Sequence, residues 1–323
     1  MKKAFLSGLG VMGRRHLLGL LESGFQVVGL DPRQSSAADA LQAAATSGFE
    51  SGAFRWTTEM PAEEFDVAVF CETAPHRFGN LSRFLELSTA SRLLLEKPLT
   101  ADFAELDAYE RLLESKQVSP ERVCMNLSRR TWPLFIRLKS LCDNSSDLML
   151  TANGGAAGLG SNGIHFLDLY FFLTGDTSFR VTHAALSITP VPSGRGPEFS
   201  DFGGNFLVEN RRGSFFCSLS PDSSAPPVLV VRGSHFIAWL DEGDLRYRLE
   251  ARDPDSRKPN YLCGRDYRVV EEGIMSLLPF HKVTANWVAG TLELPGFQEG
   301  LRAHKLLFAI LETAGRKPPF RFT

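Results

Sequence analysis

Lys97 stands out as a residue that could move a proton, because it is placed at the end of a predicted strand. It follows the apolar run Arg92 to Leu95 and precedes Pro98 in Glu96-Lys97-Pro98. A residue before proline is kept out of the helical region, so Lys97 should lie extended at the strand's carboxyl end. Its ammonium could bind a substrate hydroxyl, and Glu96 could hold or tune it. An isolated tripeptide of this kind is more often a surface loop, but its place after the strand favours function.

His165 is a second candidate for proton transfer. It lies near the start of a helix, Ile164 to Leu173, whose other residues are almost all apolar, so the helix should be buried. Asp168, three residues further on, lies on the same side and could accept a proton from one ring nitrogen, which would direct the other toward a substrate. A buried His–Asp pair with a purely structural role is the alternative, and these residues taken alone favour it.

A glycine motif, G-x-G-x-x-G, follows an apolar strand, Lys3 to Ser7, and opens a helix. Its first glycine permits a tight turn, its second lets the backbone approach a diphosphate, and its third lets the helix pack on the strand. The N–H groups at the start of the helix would hold the diphosphate. The cofactor-binding residues expected here are Gly8, Gly10, Val11, Met12 and Gly13.

The next strand, Phe25 to Leu30, ends in Asp31, eighteen residues after Gly13. This is near the spacing of the acid that hydrogen-bonds the adenosine ribose diol in dinucleotide-binding folds. A carboxylate repels a 2′-phosphate and so favours NAD over NADP. Arg33 keeps NADP open, because an arginine just beyond the strand could bind that phosphate. A structural βαβ unit with a polar loop is the alternative, and the register of these elements favours the dinucleotide.

The chain as a whole predicts an α/β protein of two domains. Strands alternate with helices over 1–121, which indicates a Rossmann domain with a doubly wound parallel sheet. The turn from Glu72 to His76, which includes Thr73 and Pro75, follows a buried strand at the edge where ligands bind such sheets. Strands of alternating character dominate 122–323, which predicts an α+β domain with a mainly antiparallel open sheet.

Composition excludes several functional classes. Among 323 residues, 35 lysines and arginines nearly balance 37 aspartates and glutamates, so no basic surface indicates nucleic acid or an anionic membrane. The five cysteines lack C-x-x-C spacing, which argues against a zinc site and against a disulfide framework. We expect no signal peptide, because glycines and charged residues interrupt the first apolar stretch, and no membrane span, because no apolar run reaches the required length. We therefore expect a cytoplasmic protein with small-molecule partners and no metal.

Taken together, these motifs resemble the Gfo/Idh/MocA oxidoreductases, the relatives of glucose–fructose oxidoreductase and inositol dehydrogenase. The resemblance covers nearly the whole chain and depends on the order and spacing of several motifs rather than on any one of them. These are GLGVMGRRH at Gly8 to His16, Asp31, Thr73-Ala74-Pro75, LLLEKPLT at Leu93 to Thr100, NLSRRTWP at Asn126 to Pro133, and NGIHFLDLYFFLTG at Asn162 to Gly175.

The resemblance implies hydride transfer between NAD(P) and a hydroxyl or keto carbon of a sugar, polyol or nucleotide-sugar. Lys97 and His165 match the family's catalytic residues. The cofactor-binding residues further implied are Thr73, Pro75, Glu96, Lys97 and Asn126, and the substrate-binding residues are Lys97, Arg129, Ser161, Asn162, His165 and Asp168. Family members commonly associate through the C-terminal sheet, so a homodimer or homotetramer is expected.

Ser161 departs from the family pattern, in which many members have an aspartate four residues before the histidine. Serine cannot take a proton as a carboxylate does, though it can hydrogen-bond a sugar hydroxyl. Two alternatives stay open. One is a lyase or glycoside hydrolase that oxidises its sugar transiently and shows no net cofactor turnover. The other is a non-catalytic NAD-binding sensor or partner subunit, whose function would survive Lys97→Ala and His165→Ala.

Overall fold

The structure is a computed structural model that describes residues 2–193, 195–318 and 320–322. Packing divides the chain into two compact units. The first comprises Met1–Thr131, Leu278–His304 and Pro318–Thr323, and the second comprises Trp132–Leu277 and Lys305–Lys317. These bounds differ from the predicted division after residue 121, and the assignment of 1–121 to the cofactor and of 122–323 to the substrate stays a prediction.

A six-stranded parallel sheet forms the centre of the first unit, and it confirms the predicted doubly wound architecture. Its elements are β1 (Lys3–Ser7), α1 (Val11–Glu22), β2 (Gln26–Leu30), α2 (Gln34–Thr46), β3 (Phe54–Thr57), β4 (Glu64–Phe70), α3 (Ala74–Leu87), β5 (Thr89–Leu95), α4 (Phe103–Ser115) and β6 (Val123–Met125). The strand order is β3-β2-β1-β4-β5-β6. Strands buried on both faces need near-continuous apolar runs, and β1, β4 and β5 have them.

Helix α7 (Phe280–Ala289) also belongs to the first unit, and it is not among the elements predicted from the sequence. It packs closely on α1, because a Cβ on Gly19 would lie 2.4 Å from the carbonyl oxygen of His281. Its Trp287 is 1% exposed, and the guanidinium of Arg92 lies 4.3 Å from the indole centroid. Helical spacing of the buried residues and a left-handed Gly290 at the end are the signals that identify this helix.

The second unit is built on an eight-stranded sheet of order β16-β15-β14-β13-β7-β12-β11-β8. All of its pairs are antiparallel except β7 with β12, so the mainly antiparallel sheet is confirmed. Its elements are α5 (Pro133–Asp143), β7 (Leu148–Gly154), α6 (Ile164–Thr174), β8 (Arg180–Leu186), β9 (Val191–Pro192), β10 (Ser200–Asp201), β11 (Gly204–Glu209), β12 (Gly213–Leu219), β13 (Val228–Arg232), β14 (Phe236–Asp241), β15 (Arg246–Arg252) and β16 (Tyr267–Ile274). Helix α8 (Phe297–Thr313) contributes to both units.

The two faces of this large sheet differ in burial. Phe215 is fully buried and packs against Tyr170 of α6, so it belongs to the core. Val230 and Trp239 are register partners on the opposite face and are half-buried. Association through that face stays a prediction. Among the helices of the described residues, none has both the length and the apolar composition that a membrane span needs.

Candidate functional site

The glycine turn between β1 and α1 leaves a space that packing of the chain does not require. A Cβ on Gly8 would lie 2.7 Å from the Glu72 nitrogen, and one on Gly13 would lie 1.9 Å from the Gly8 oxygen, so both are glycines for internal reasons. Among the described residues other than its chain neighbours, a Cβ on Gly10 would have within 4 Å only the Arg33 guanidinium, at 4.0 Å. The turn thus has room at the position where a diphosphate contacts the second glycine in dinucleotide-binding folds.

The first turn of α1 suits an anion. Gly10 is the N-cap and has no side chain to cap the helix, and the first turn contains no acidic residue. Val11 is 60% exposed at this end. The N–H groups of a helix start lack partners within the helix and carry partial positive charge, so they bind phosphate well. The residues present therefore fit the diphosphate of a dinucleotide.

The loop after β5 carries Lys97 and is anchored through its backbone. Arg77, which is fully buried, donates from Nη1 to the carbonyl oxygens of Pro98 and Leu99, the latter at 3.1 Å, and from Nη2 to the Glu72 carbonyl. Buried carbonyls need partners, and one guanidinium supplies several donors in a rigid plane. Arg77 thereby joins the loops that follow β4 and β5.

His304 holds the other side of this loop. Its Nε2 accepts the Leu99 N–H at 2.7 Å, so its Nδ1 must carry the proton that it donates to the Gly300 carbonyl at 2.7 Å. Burial, helped by the positive charges of Arg77 and Lys97, lowers the pKa of His304 to about 4. The imidazole is therefore neutral near pH 7, as its acceptor role requires.

Glu96 connects the Lys97 loop to α1 and to the end of β6. It is 2% exposed, and its Oε1 accepts from His16 Nε2 at 2.9 Å and from Asn126 Nδ2 at 2.5 Å, while its Oε2 accepts the Lys97 backbone N–H at 3.2 Å. Burial opposes ionisation, but hydrogen bonds and charge from these three residues outweigh it and lower the pKa of Glu96 to about 2. Thr284 of α7 bonds the second nitrogen of His16 at 2.8 Å.

The ionised Glu96 fixes the orientation of the Asn126 amide. A carboxylate only accepts, so the amide nitrogen of Asn126 must face it and the amide oxygen must face away. That oxygen is buried and has no hydrogen-bond partner among the described residues. A buried acceptor without a partner costs free energy. Asn126 thus offers an acceptor to an incoming N–H donor, and the carboxamide of a nicotinamide is such a donor.

Glu72, at the carboxyl end of β4, is a buried carboxyl that none of the predicted roles uses. Both of its carboxyl oxygens are inaccessible to solvent. Burial raises the pKa of Glu72 to about 7, although the positive charge of Arg77 opposes the rise. The group is therefore protonated over a pH range in which it would ionise in the unfolded chain.

Stability should consequently fall as pH rises. Below the unfolded pKa of 4.5 the carboxyl is protonated in both states, so it makes no pH-dependent contribution to stability. Between pH 4.5 and about 7 Glu72 ionises only in the unfolded chain, so the free energy of unfolding falls by roughly 3 kcal/mol over this range. At higher pH this loss stays constant. Glu72→Gln should therefore raise the urea midpoint near pH 8 and leave it almost unchanged near pH 4.5. The exposed Glu50→Gln is the control, and equal shifts at both pH values would contradict the assignment.

In the second unit, Asp201 organises the turn that precedes His165. Its Oδ1 accepts the N–H groups of Gly160 and Phe202, both at 2.8 Å. Its Oδ2 accepts the Ser161 N–H at 2.7 Å and the Ser161 hydroxyl at 2.5 Å. Gly158, with φ +76°, leaves room for this carboxylate, since a Cβ there would lie 2.4 Å from Oδ2. A buried carboxylate from β10 thus lies beside Ser161.

Asp201→Asn should destabilise the second unit. The amide accepts through its oxygen only, and this oxygen should stay with the N–H groups of Gly160 and Phe202. The NH2 group would then face the part-buried Ser161 N–H, which would lose its partner. We expect a loss of roughly 1–3 kcal/mol in the free energy of unfolding, measured by urea titration. Asp222→Asn, at an exposed position of the same unit, should change the stability little. An unchanged Asp201→Asn protein would show that these hydrogen bonds do not hold the turn.

Within the first unit, the structure brings the predicted residues of the glycine turn, Asp31, Thr73, Glu96, Lys97 and Asn126 to the carboxyl ends of the parallel strands. Asp31 accepts the Leu9 N–H at 2.8 Å and so ties the turn to β2. Thr73 is the N-cap of α3, and Pro75 follows in its first turn. Arg129 lies in a short 3-10 turn, Ser128–Thr131. The predicted roles of these residues stay predictions.

In the second unit, Ser161 and Asn162 lie in a π-helical turn, Leu159–Gly163, that leads directly into α6. Asn162 donates to the Ala157 carbonyl at 2.6 Å and so also stabilises this turn. His165 is the second residue of α6, and Asp168 is 1% exposed. The contributions of His16, Arg77, Asp201, Thr284 and His304 are absent from the sequence analysis, because each depends on a partner far along the chain.

Solved structures with this fold include dehydrogenases and an NAD-binding oxidoreductase. Levoglucosan dehydrogenase in complex with NADH is 16% identical, with 97% of each chain covered and a TM-score of 0.71. UDP-N-acetylglucosamine 3-dehydrogenase from Acidithiobacillus ferrooxidans is 16% identical, with 97% of this chain and 96% of that chain covered and a TM-score of 0.66. An NAD-binding oxidoreductase from Klebsiella pneumoniae is 14% identical, with 97% of each chain covered and a TM-score of 0.69.

No protein-family sequence model matches the chain, and no sequence among the curated proteins does. The likeness to solved structures nevertheless extends over nearly the full length. The chain therefore has the fold of the Gfo/Idh/MocA-type NAD-binding oxidoreductases, as the sequence resemblance implies. At these identities the likeness concerns the fold, and a substrate has to be argued from the residues.

Proposed function

We propose that this protein is a nicotinamide-dependent oxidoreductase that transfers hydride between NAD(P) and a hydroxyl or keto carbon of a sugar, polyol or nucleotide-sugar. The observation that carries the proposal is the space at Gly10, which packing of the chain does not require, beside an uncapped helix start. A turn built only for stability would have no reason to keep this glycine. The unpartnered buried oxygen of Asn126 supports the same function, since it suits a carboxamide donor.

The roles proposed for individual residues follow from their chemistry. When bound, the nicotinamide supplies hydride transfer at its C4 carbon. Gly10, Val11, Met12 and Gly13 hold the diphosphate through backbone N–H groups. Asn126 orients the carboxamide, and Glu96 keeps Asn126 in its acceptor orientation.

Lys97 and His165 are proposed as the acid/base and substrate-binding groups. Either side chain can take a proton from a sugar hydroxyl during oxidation and return one to a carbonyl during reduction. Lys97 is held in position for this role, because Arg77, Glu96 and His304 all hydrogen-bond the backbone of its loop. Holding both reactants in a fixed geometry would supply much of the rate.

The carboxylate of Asp201 bears on the non-catalytic alternative. Lack of an aspartate at position 161 motivates that alternative, yet the Ser161 hydroxyl donates its proton to Asp201 at 2.5 Å. A hydroxyl has one proton, so Ser161 can then only accept from a further partner. Position 161 can thus accept a hydrogen bond from a substrate hydroxyl, although it cannot take up the proton, so the lack of an aspartate there is not in itself an argument for a sensor.

Equilibrium titration with NADH and, separately, NADPH tests the cofactor without knowledge of the substrate. Energy transfer from tryptophan to the reduced nicotinamide reports binding. Saturable binding of either form is expected, and binding of neither, after removal of copurified nucleotide, would overturn the proposal. Levoglucosan, UDP-N-acetylglucosamine and myo-inositol then form the first substrate panel, followed by nicotinamide absorbance. Product without net change in that absorbance would indicate the lyase or hydrolase with transient oxidation.

A further inference from the structure

The carboxylate of Asp31 is already occupied by donors of the protein. Its side chain is 2% exposed. Oδ2 accepts the Leu9 N–H at 2.8 Å and lies 3.5 Å from Arg33 Nη2, while Oδ1 accepts the Arg33 backbone N–H at 2.9 Å and Arg33 Nε at 3.3 Å. A carboxylate has about four lone-pair sites. A ribose diol would therefore reach Asp31 only after Arg33 had been displaced.

Arg33, in contrast to Asp31, is exposed and has N–H donors that the described residues do not use. Its side chain is 67% exposed, although its guanidinium is paired with a buried carboxylate. Nη2 lies 4.0 Å from the position of a Cβ on Gly10, so the guanidinium lies beside the space proposed for the diphosphate. A guanidinium has five N–H donors, and two of them face Asp31. The other three have no partner among the described residues.

We propose that Arg33 is the specificity-determining residue for the cofactor and that it binds the 2′-phosphate of NADP(H), with Asp31 as its positioning residue. The inference rests on the proposed function and adds the form of the cofactor, against the preference for NAD that Asp31 alone suggests. A phosphate monoester is close to a dianion near pH 7 and accepts two parallel N–H bonds from a guanidinium. Asp31 holds the guanidinium in place through one edge and leaves the other edge for the phosphate.

The proposal predicts that substitutions of Arg33 change the affinity for NADPH much more than the affinity for NADH. In the unmodified protein, NADPH should bind at least about 10-fold more tightly than NADH. Arg33→Gln should weaken the binding of NADPH about 10- to 100-fold, which is the range for loss of charge-assisted hydrogen bonds. It should change the affinity for NADH by less than about 3-fold. Arg33→Lys keeps the charge without the planar fork and should give an intermediate loss. High salt should reduce the preference, because the guanidinium is exposed.

Arg55→Gln is the matched control, because Arg55 is an exposed arginine of the neighbouring strand that also pairs with a carboxylate, Glu63, at 2.6 Å. It should leave both affinities unchanged. Tighter binding of NADH than of NADPH by the unmodified protein would overturn the inference and leave the proposed function standing. Equal losses for both cofactors in Arg33→Gln would also overturn it. Binding of neither cofactor to the unmodified protein would instead overturn the proposed function itself.

Discussion

Replacing Gly10 with valine should abolish cofactor binding and leave the protein folded. The Gly10 backbone lies at φ −66°, ψ −166°, an extended conformation that valine adopts without strain. Apart from the two chain neighbours, no atom of the described residues would lie closer than 4.0 Å to a Cβ there, so the side chain would extend into the proposed cofactor space. Loss of two charge-assisted bonds to the diphosphate would weaken binding by roughly 100-fold or more. Titration with NADH and NADPH measures the loss.

Two other glycines make the Gly10 result specific. Gly79→Val, on the exposed face of α3 with nothing within 4 Å of its Cβ, should preserve both folding and affinity. Gly13→Val should prevent correct folding, because its Cβ would lie 1.9 Å from the Gly8 oxygen. A folded Gly10→Val protein that still binds its cofactor would remove the diphosphate from this turn. A Gly10→Val protein with a strongly lowered urea midpoint would show that the space at Gly10 serves the fold.

The glycine turn was predictable because its determinants are local. The strand Lys3–Ser7, the turn after it and the helix Val11–Glu22 follow one another directly. Apolar runs indicate the strand and the helix, and glycines indicate the turn. The ending of β2 at Asp31 is equally local. The spacing between Gly13 and Asp31 does not predict what the carboxylate of Asp31 binds, since a carboxylate can bind a ribose diol or an arginine. The choice depends on whether Arg33 folds back onto it, which the structure shows and the pattern leaves open.

The hydrogen bonds that hold the site residues in place were less predictable, because they join segments that are distant in the sequence. His16 contacts Glu96 across 80 residues and Thr284 across 268. The bond to Thr284 forms because α7 packs on α1, and α7 is not among the elements predicted from the sequence. Asp201 similarly accepts a hydrogen bond from Ser161 across 40 residues. The sequence can indicate that a polar residue is buried and needs a hydrogen-bond partner, but only the fold shows which distant residue that partner is.

The anchoring of the Lys97 loop makes the chemical role of its ammonium separable from its structural role. Arg77 and His304 contact the backbone of Pro98 and Leu99, and Glu96 contacts the Lys97 backbone N–H. Replacement of the Lys97 side chain therefore leaves these hydrogen bonds in place. Lys97 also contributes its charge to the environment of Glu96 and His304, so a variant that keeps the charge is needed beside one that removes it.

Lys97→Met should lower kcat by about 1,000-fold, within the range for a lost acid/base group, and change cofactor affinity by less than about 3-fold. Lys97→Arg should keep substrate binding through its charge yet lose turnover, because arginine does not give up its proton near neutral pH. Steady-state kinetics with a substrate from the panel, together with the NADPH titration, separate these outcomes. Lys116→Met, at an exposed site after α4, is the control. Full turnover in Lys97→Met would exclude Lys97 from the mechanism, and full turnover in Lys97→Arg would limit it to charge recognition.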